Sequence, residues 1–311
     1  MLMRHSRKSM MILAGIVTAV LGCDSGSFSP DAEAELQRAK ILLVRGDLGM
    51  AESVLQNAIT LARQQSQTDT EIAAICDLTS VQIGLGRSKK AFDLAGKAKS
   101  LAESTSSNRL PEVLICLGEA ELSLGEFKSA SLSLSKAIGI ASRAKNANAA
   151  ILAHAQNTLG LLSQKQGNLD DAESRFQKAI DLLKQLDCTE QEIVLYSKAL
   201  ANPGLIAKLK QDFERAGMLY EQALDLRISV VGDTHPVLFV LLANLGTLRA
   251  TQQNWNDASH YFRRAVILGE QTWGQGAKRL DSVYQNCAFV LDKLGHSEKA
   301  DAIRKRNSQS K

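Results

Sequence analysis

The stretch LLANLGTLRATQQNWNDASHYFRRAVIL, Leu241–Leu268, decides the fold. Its first half carries apolar residues at Leu242, Leu245, Gly246 and Leu248, which is helical spacing. Gln253, Asn254 and Trp255 make a turn. Ala258, Tyr261, Phe262, Ala265 and Leu268 then recur at three and four, giving a second amphipathic helix. The unit is two helices joined by a tight turn.

Outward from this stretch the same frame repeats. Ala258 belongs to a series with Ala51, Ala91, Ala130, Ala172, Ala216 and Ala300, at intervals of 39 to 44 residues. Seven residues after each of the first six stands another alanine: Ala58, Ala98, Ala137, Ala179, Ala223 and Ala265. Five residues before stand Gly46, Gly86, Gly125, Gly167 and Gly295, with Gln211 and Gln253 in the other two repeats. A fixed period of this length means stacked supersecondary units that bury one continuous core. The glycine suits the positive φ that ends a helix. The alanines suit a close crossing of antiparallel helices, since interaxial distance follows side-chain size. The expected fold is all-α, a solenoid of about seven antiparallel helix pairs over residues 31–311.

These residues resemble the tetratricopeptide repeat. Its Leu-Gly pair appears as Leu117-Gly118, Leu159-Gly160 and Leu245-Gly246. Its A-x3-F-x2-A half appears as Ala172, Phe176 and Ala179, as Ala216, Tyr220 and Ala223, and as Ala258, Phe262 and Ala265. The period is longer than the usual 34, and the 42-residue form is similar to the kinesin-light-chain type. Tyr220–Ile228, Gly232-Asp-Thr-His-Pro236 and Leu242-Ala-Asn-Leu-Gly246 carry that likeness. The resemblance implies a right-handed superhelix whose first helices line a concave groove. The end repeats depart from the pattern. Arg38-Ala39 stands for Leu-Gly in repeat one, and Arg304 and Asn307 stand for an aromatic and an alanine in repeat seven. Terminal units with a polar face are expected to cap a solenoid.

Residues 1–22 read as a signal peptide. Arg4, Arg7 and Lys8 precede the apolar run Met10–Leu21, which is too short to span a bilayer comfortably. Val20-Leu21-Gly22-Cys23 resembles a bacterial lipobox, which implies cleavage before Cys23 and lipid attachment to it. Residues 23–30 are small and polar and make a short flexible tether. Asp24, after the cysteine, favours the inner membrane by the same resemblance. The formal charge of +4 falls to about +1 without Arg4, Arg7 and Lys8. That leaves no basic footprint for nucleic acid.

No catalytic constellation, metal site or small-molecule cofactor site is expected. His154, His235, His260 and His296 are scattered through different repeats, with no H-E-x-x-H arrangement. Gly84-Leu-Gly86-Arg-Ser-Lys89 lacks phosphate-loop spacing and falls where the other repeats turn. Cys76, Cys116, Cys188 and Cys287 match no zinc spacing and read as small buried hydrophobes. Cys76 and Cys116 are close enough in frame for a disulfide to be conceivable.

One series points to binding. Asn202, Asn244 and Asn286 are 42 residues apart and hold one frame position in the first helices of repeats five to seven. The resemblance places that position on the groove. An asparagine donates and accepts at once, so a column of them can grip an extended peptide backbone. Lys198 and His154 share a neighbouring groove position and would favour an acidic segment. Asn202 has a rival reading, because Pro203 follows it where other repeats carry leucine. Asn-Pro is a favourable helix start, and on that reading the first helix of repeat five breaks here, with Asn202 as cap. The function expected is a membrane-anchored scaffold of the cell envelope that holds a protein or peptide partner. The alternative is a cytoplasmic kinesin-light-chain-like adaptor or regulatory subunit, if the amino terminus is not a signal.

Overall fold

The computed structural model describes residues 31–143 and 148–308. The signal peptide, Cys23, Asp24 and the tether over 23–30 lie outside the described residues. The described residues from Ala32 onward form one compact unit. Among the described residues it holds fourteen α-helices, two short 3-10 helices and no strand.

The first helices of the repeats are α1 (Ala32–Arg45), α3 (Thr68–Gly84), α5 (Leu110–Leu124), α7 (Ala149–Lys165), α9 (Glu190–Leu209), α11 (Phe239–Thr251) and α13 (Asp281–Lys293). Their partners are α2 (Leu48–Gln64), α4 (Ser88–Ser104), α6 (Phe127–Ala141), α8 (Leu169–Leu183), α10 (Phe213–Val231), α12 (Trp255–Trp273) and α14 (Ser297–Ser308). Each helix packs on its neighbours in sequence, and most first helices also touch the first helix of an adjacent repeat. This is the architecture of a tetratricopeptide-like solenoid.

The alanine frame is the helix crossing. All seven frame alanines and the six that follow them are fully buried, at 0% exposure. The Leu-Gly pair has a related cause. A Cβ on Gly160 would lie 2.5 Å from Phe176, and one on Gly118 would lie 2.7 Å from Leu134. The large side chain of the second helix therefore seats on the bare backbone of the first, where any other residue would collide with it.

The turn glycine is explained by its dihedral. Gly125 has φ +81°, and its N–H bonds Leu122 O at 3.2 Å, which closes α5. Gln211 and Gln253 hold the same place at φ +64° and +59°. They accept the steric cost that glycine avoids. Ion pairs stitch neighbouring repeats at this edge. Glu52 accepts from Arg87 at 2.9 Å and Lys90 at 3.1 Å, and Glu173 accepts from Lys210 at 2.8 Å and from Arg215.

The break considered at Asn202-Pro203 does not occur. α9 runs unbroken from Glu190 to Leu209 with Pro203 inside it. Its start is fixed earlier by a capping box, in which Thr189 accepts from the Glu192 N–H while Glu192 accepts from the Thr189 N–H. Pro203 and Gly204 are buried, and Tyr220 packs 3.0 Å from where a Cβ on Gly204 would stand. Tertiary packing of the buried turn thus outweighs the hydrogen bond that proline removes.

The chain also returns on itself. α1 packs against α9 and α10, four repeats further on. Just beyond it, a Cβ on Gly46 would stand 3.3 Å from Cγ2 of Val237. Val237 lies in the 3-10 turn Pro236–Leu238, where His235 Nδ1 accepts from the Val237 N–H at 3.3 Å. His235-Pro236 is therefore a structural start of repeat six, and it meets the end of α1.

Candidate functional site: the face of the first helices

The frame position of the asparagines lies fourteen residues before each frame alanine. It carries Gln37, Asp77, Cys116, Thr158, Asn202, Asn244 and Asn286 in order. The column varies through the first four repeats and is asparagine in the last three. Asn244 is half-buried and Asn286 exposed, and neither makes a hydrogen bond among the described residues. Asn202 is engaged inside the protein, since its Nδ2 donates to Oδ1 of the buried Asn157 at 3.1 Å. Asn202 therefore differs from the other two in having its side chain already bonded.

His154 and Lys198 lie eighteen residues before their frame alanines. The structure joins them through Glu119, on α5. His154 Nε2 donates to Glu119 Oε1 at 2.7 Å, and Thr158 Oγ1 donates to the same oxygen at 3.4 Å. Burial pushes the Glu119 carboxyl up, but the fields of His154 and Lys198 and the hydrogen bonds from His154 and Thr158 outweigh it and hold it below the usual range. Lys198 makes no hydrogen bond or salt bridge among the described residues. The surrounding protein lowers its pKa by desolvation, Arg227 lowers it further, and Glu119 opposes both.

Asp77 sits in the asparagine column of repeat two. One carboxylate oxygen is buried without a hydrogen bond. Burial drives its pKa up to about 6, against the opposing fields of Lys40, Arg109 and His154. Beside it, Cys116 Sγ donates to Cys76 O at 3.9 Å. All four cysteines among the described residues are free thiols. Cys116 and Cys287 are buried and Cys76 and Cys188 are half-buried, as small hydrophobes in helical cores are.

Glu119, Asp77 and Arg227 were not singled out by motif. The signal for Glu119 and Asp77 is frame position alone, because each falls on a first-helix column that also holds polar residues in other repeats. No grouping of histidine, cysteine and acidic side chains among the described residues could hold a metal ion. Apolar side chains flank the polar columns in the later repeats: Leu205, Leu209, Val240 and Phe289 are 38 to 61% exposed. Such apolar surface beside unbonded amides can take the side chains of a segment whose backbone the amides grip.

Comparison with known proteins agrees with the fold. The tetratricopeptide repeat family model matches residues 109–185 and 197–267, so the chain is built of tetratricopeptide repeats over those stretches. A search of curated proteins finds no match. Among solved structures, BtubC (BKLC) of P. vanneervenii is 19% identical, with a TM-score of 0.59 over 75% of this chain and 90% of that one. Pseudomonas aeruginosa pilF is 17% identical, with a TM-score of 0.54 over 76% and 90%. The apo quorum sensor NprR of B. thuringiensis is 13% identical, with a TM-score of 0.52 over 98% and 94%. At these identities the likeness is one of fold.

Proposed function

We propose that this protein is a membrane-tethered scaffold of the bacterial cell envelope, which holds an extended segment of a partner protein against its first helices. It is a binding module rather than an enzyme. The observation that carries the reading is the pair Asn244 and Asn286, at one frame position on successive first helices, with side-chain amides that bond nothing among the described residues. Each offers a donor and an acceptor to a peptide backbone, and the exposed Leu205, Val240 and Phe289 offer apolar contact beside them. Asn202, held by Asn157, shapes the column, while Lys198 adds positive charge for an acidic segment and His154 holds Glu119 beside it. The spacing of 42 residues between the asparagines supports the kinesin-light-chain type of repeat.

The tether is Cys23, on the strength of the charged start, the short apolar run and the Gly22-Cys23 junction. Asp24 favours the inner membrane. No helix of the described residues is long and apolar enough to cross a membrane.

Two experiments test this. A photo-crosslinking residue at position 244 in cells should give adducts that one at Arg263, on the second helix α12, does not. With the crosslinked partner in hand, Asn244→Ala plus Asn286→Ala should weaken binding with helicity unchanged, while Arg263→Glu plus Arg264→Glu should not. Loss of binding only in the arginine pair would place the partner on the outer face and end the groove reading. Separately, Cys23→Ser should leave unprocessed precursor and abolish lipid labelling; normal processing and localisation would end the lipoprotein reading.

A further inference from the structure

Two positions of the first-helix frame meet across neighbouring repeats. Asn202 stands fourteen residues before its frame alanine, and Asn157 stands fifteen before its own in the preceding repeat. Their side chains bond each other at 3.1 Å. The frame therefore brings these two positions together where successive first helices pack. Between repeats two and three the same two positions hold Cys116 and Cys76.

The two cysteines do meet. α3 packs on α5, and Cys76 packs against Cys116 in an apolar cluster that includes Ala91, Ala95 and Ala120. Cys116 Sγ lies 3.9 Å from Cys76 O, and the two thiols hydrogen-bond each other. The remaining thiols among the described residues are engaged elsewhere. Cys188 donates to Leu183 O at 3.4 Å, and Cys287 lies in the core of the later repeats.

The paired sulfurs differ in access. Cys76 is half-buried, whereas Cys116 is 4% exposed. A reagent from outside thus meets Cys76 first, with Cys116 in place behind it. The hydrogen bond with Cys116 and then burial push the Cys76 pKa well above the usual thiol range, and the fields of Cys116, Asp77 and Glu112 add to the shift. Thiolate is therefore scarce at neutral pH and the first exchange is slow. The second step is fast by comparison, because it joins two groups already held together.

We propose that Cys76 and Cys116 form a reversible disulfide that staples repeat two to repeat three. The bond needs no partner in the groove, so it stands or falls separately from the function proposed above. The oxidant is itself a disulfide, of a small thiol or of an oxidoreductase. Cys76 gives its proton to solvent and attacks one sulfur of that disulfide. A mixed disulfide forms, and the first thiolate leaves and takes up a proton. Cys116 then loses its proton and attacks the Cys76 sulfur, and the second thiolate leaves and is protonated in turn. Two cysteine thiols have lost two electrons, and one disulfide has been reduced to two thiols. Sulfurs already in contact need only turn about their Cα–Cβ bonds to approach the bonding distance of about 2.05 Å. The link closes a loop through α4 and fixes how repeat three sits on repeat two. In a stack where each repeat leans on its neighbours, that stiffening is local.

The test incubates the full chain, in detergent, with oxidised glutathione. Free thiols are then blocked with N-ethylmaleimide in denaturant, and the peptides are mapped by mass spectrometry. Cys76 and Cys116 should lose the label together and appear as one cross-linked peptide, while Cys287 keeps its label. Reduced glutathione should restore both labels. Cys116→Ala should stop at a glutathione adduct on Cys76, and Cys76→Ala should leave Cys116 labelled. In the oxidised native chain, amide exchange should slow in α3 and α5 but not in α11 or α13, with helicity unchanged. The proposal is overturned if both cysteines stay labelled, if each carries glutathione separately, or if the link forms only in denaturant. Loss of helicity on oxidation overturns it too, since the bond would then be foreign to the fold. None of these results bears on the groove, which Asn244→Ala plus Asn286→Ala tests on its own.

Discussion

Phe262 sits so close to Gly246 that a Cβ on the glycine would lie 2.7 Å from the ring's Cδ1. The ring comes from α12 and the glycine from α11, so this contact sets how closely the sixth helix pair can approach. Gly246→Ala forces the buried ring aside, at about 1–3 kcal/mol for overpacking. The better helix propensity of alanine returns about 1 kcal/mol. The expected net loss is up to about 2 kcal/mol, read from denaturant unfolding followed by circular dichroism. Unchanged or greater stability would show that Phe262 moves freely and that the contact does not define the pair.

Tyr220 occupies the same frame position as Phe176 and Phe262 and is 1% exposed. Its hydroxyl is buried with no partner, and burial pushes its pKa up to about 12. An unsatisfied buried hydroxyl costs about 1–3 kcal/mol. Tyr220→Phe should therefore stabilise repeat five by about 1 kcal/mol. A clear loss of stability in the same unfolding assay would mean that the hydroxyl has a partner.

Asp77 gives stability a pH dependence of known sign. Its pKa rises from 3.8 to about 6 on folding, so the folded state holds this proton more tightly than the unfolded one. The group imposes no penalty below pH 3.8, and its penalty grows from there to pH 6 and stays constant above. Asp77→Asn should accordingly raise stability by about 1–3 kcal/mol at neutral pH and by nothing at the acid end. The check is the difference in unfolding free energy between native and variant across that range. A constant difference with pH would place the carboxyl in ordinary solvent.

Pro203 stands in the middle of α9, where Leu117, Leu159 and Leu245 stand in other repeats. Pro203→Leu restores the N–H that can bond Ala199 O and removes the ring's clash with the preceding turn. Against a proline penalty of about 3 kcal/mol and some crowding of a buried site, the expected gain is about 1–2 kcal/mol. Faster amide exchange along α9 in the variant would be the contrary result, and would mean that the proline ring is itself the better packing piece.

Much of this molecule was legible in the order of its residues. The alanines could be placed at helix crossings and the glycines at turns because both demands are local. A crossing needs a small side chain, and a positive φ needs a missing Cβ, wherever the unit occurs. Repetition then multiplied a weak signal into a strong one. Asn202-Pro203 was misleading for the opposite reason. Locally the pair is a good helix start, and only the burial of Pro203 and Gly204 against Tyr220 keeps the helix whole.

The sequence by itself determined the all-helical repeat, its register, its turns and the column that carries Asn244 and Asn286, since each depends on residues a few positions apart within one unit. It could also have marked Arg227, eleven residues after Ala216, as the odd member of a column that holds Ala62, Ala102, Ala141, Leu183 and Gly269 in other repeats. Only the tertiary structure decided what that arginine meets. How far successive repeats rotate is set by the sum of many packing contacts, and that sum brings α1 back onto α9 and α10. Arg45 and His235, 190 residues apart in the chain, thereby come to share one electrostatic field with Arg227. No local pattern encodes that encounter, because it exists only once the intervening repeats have stacked.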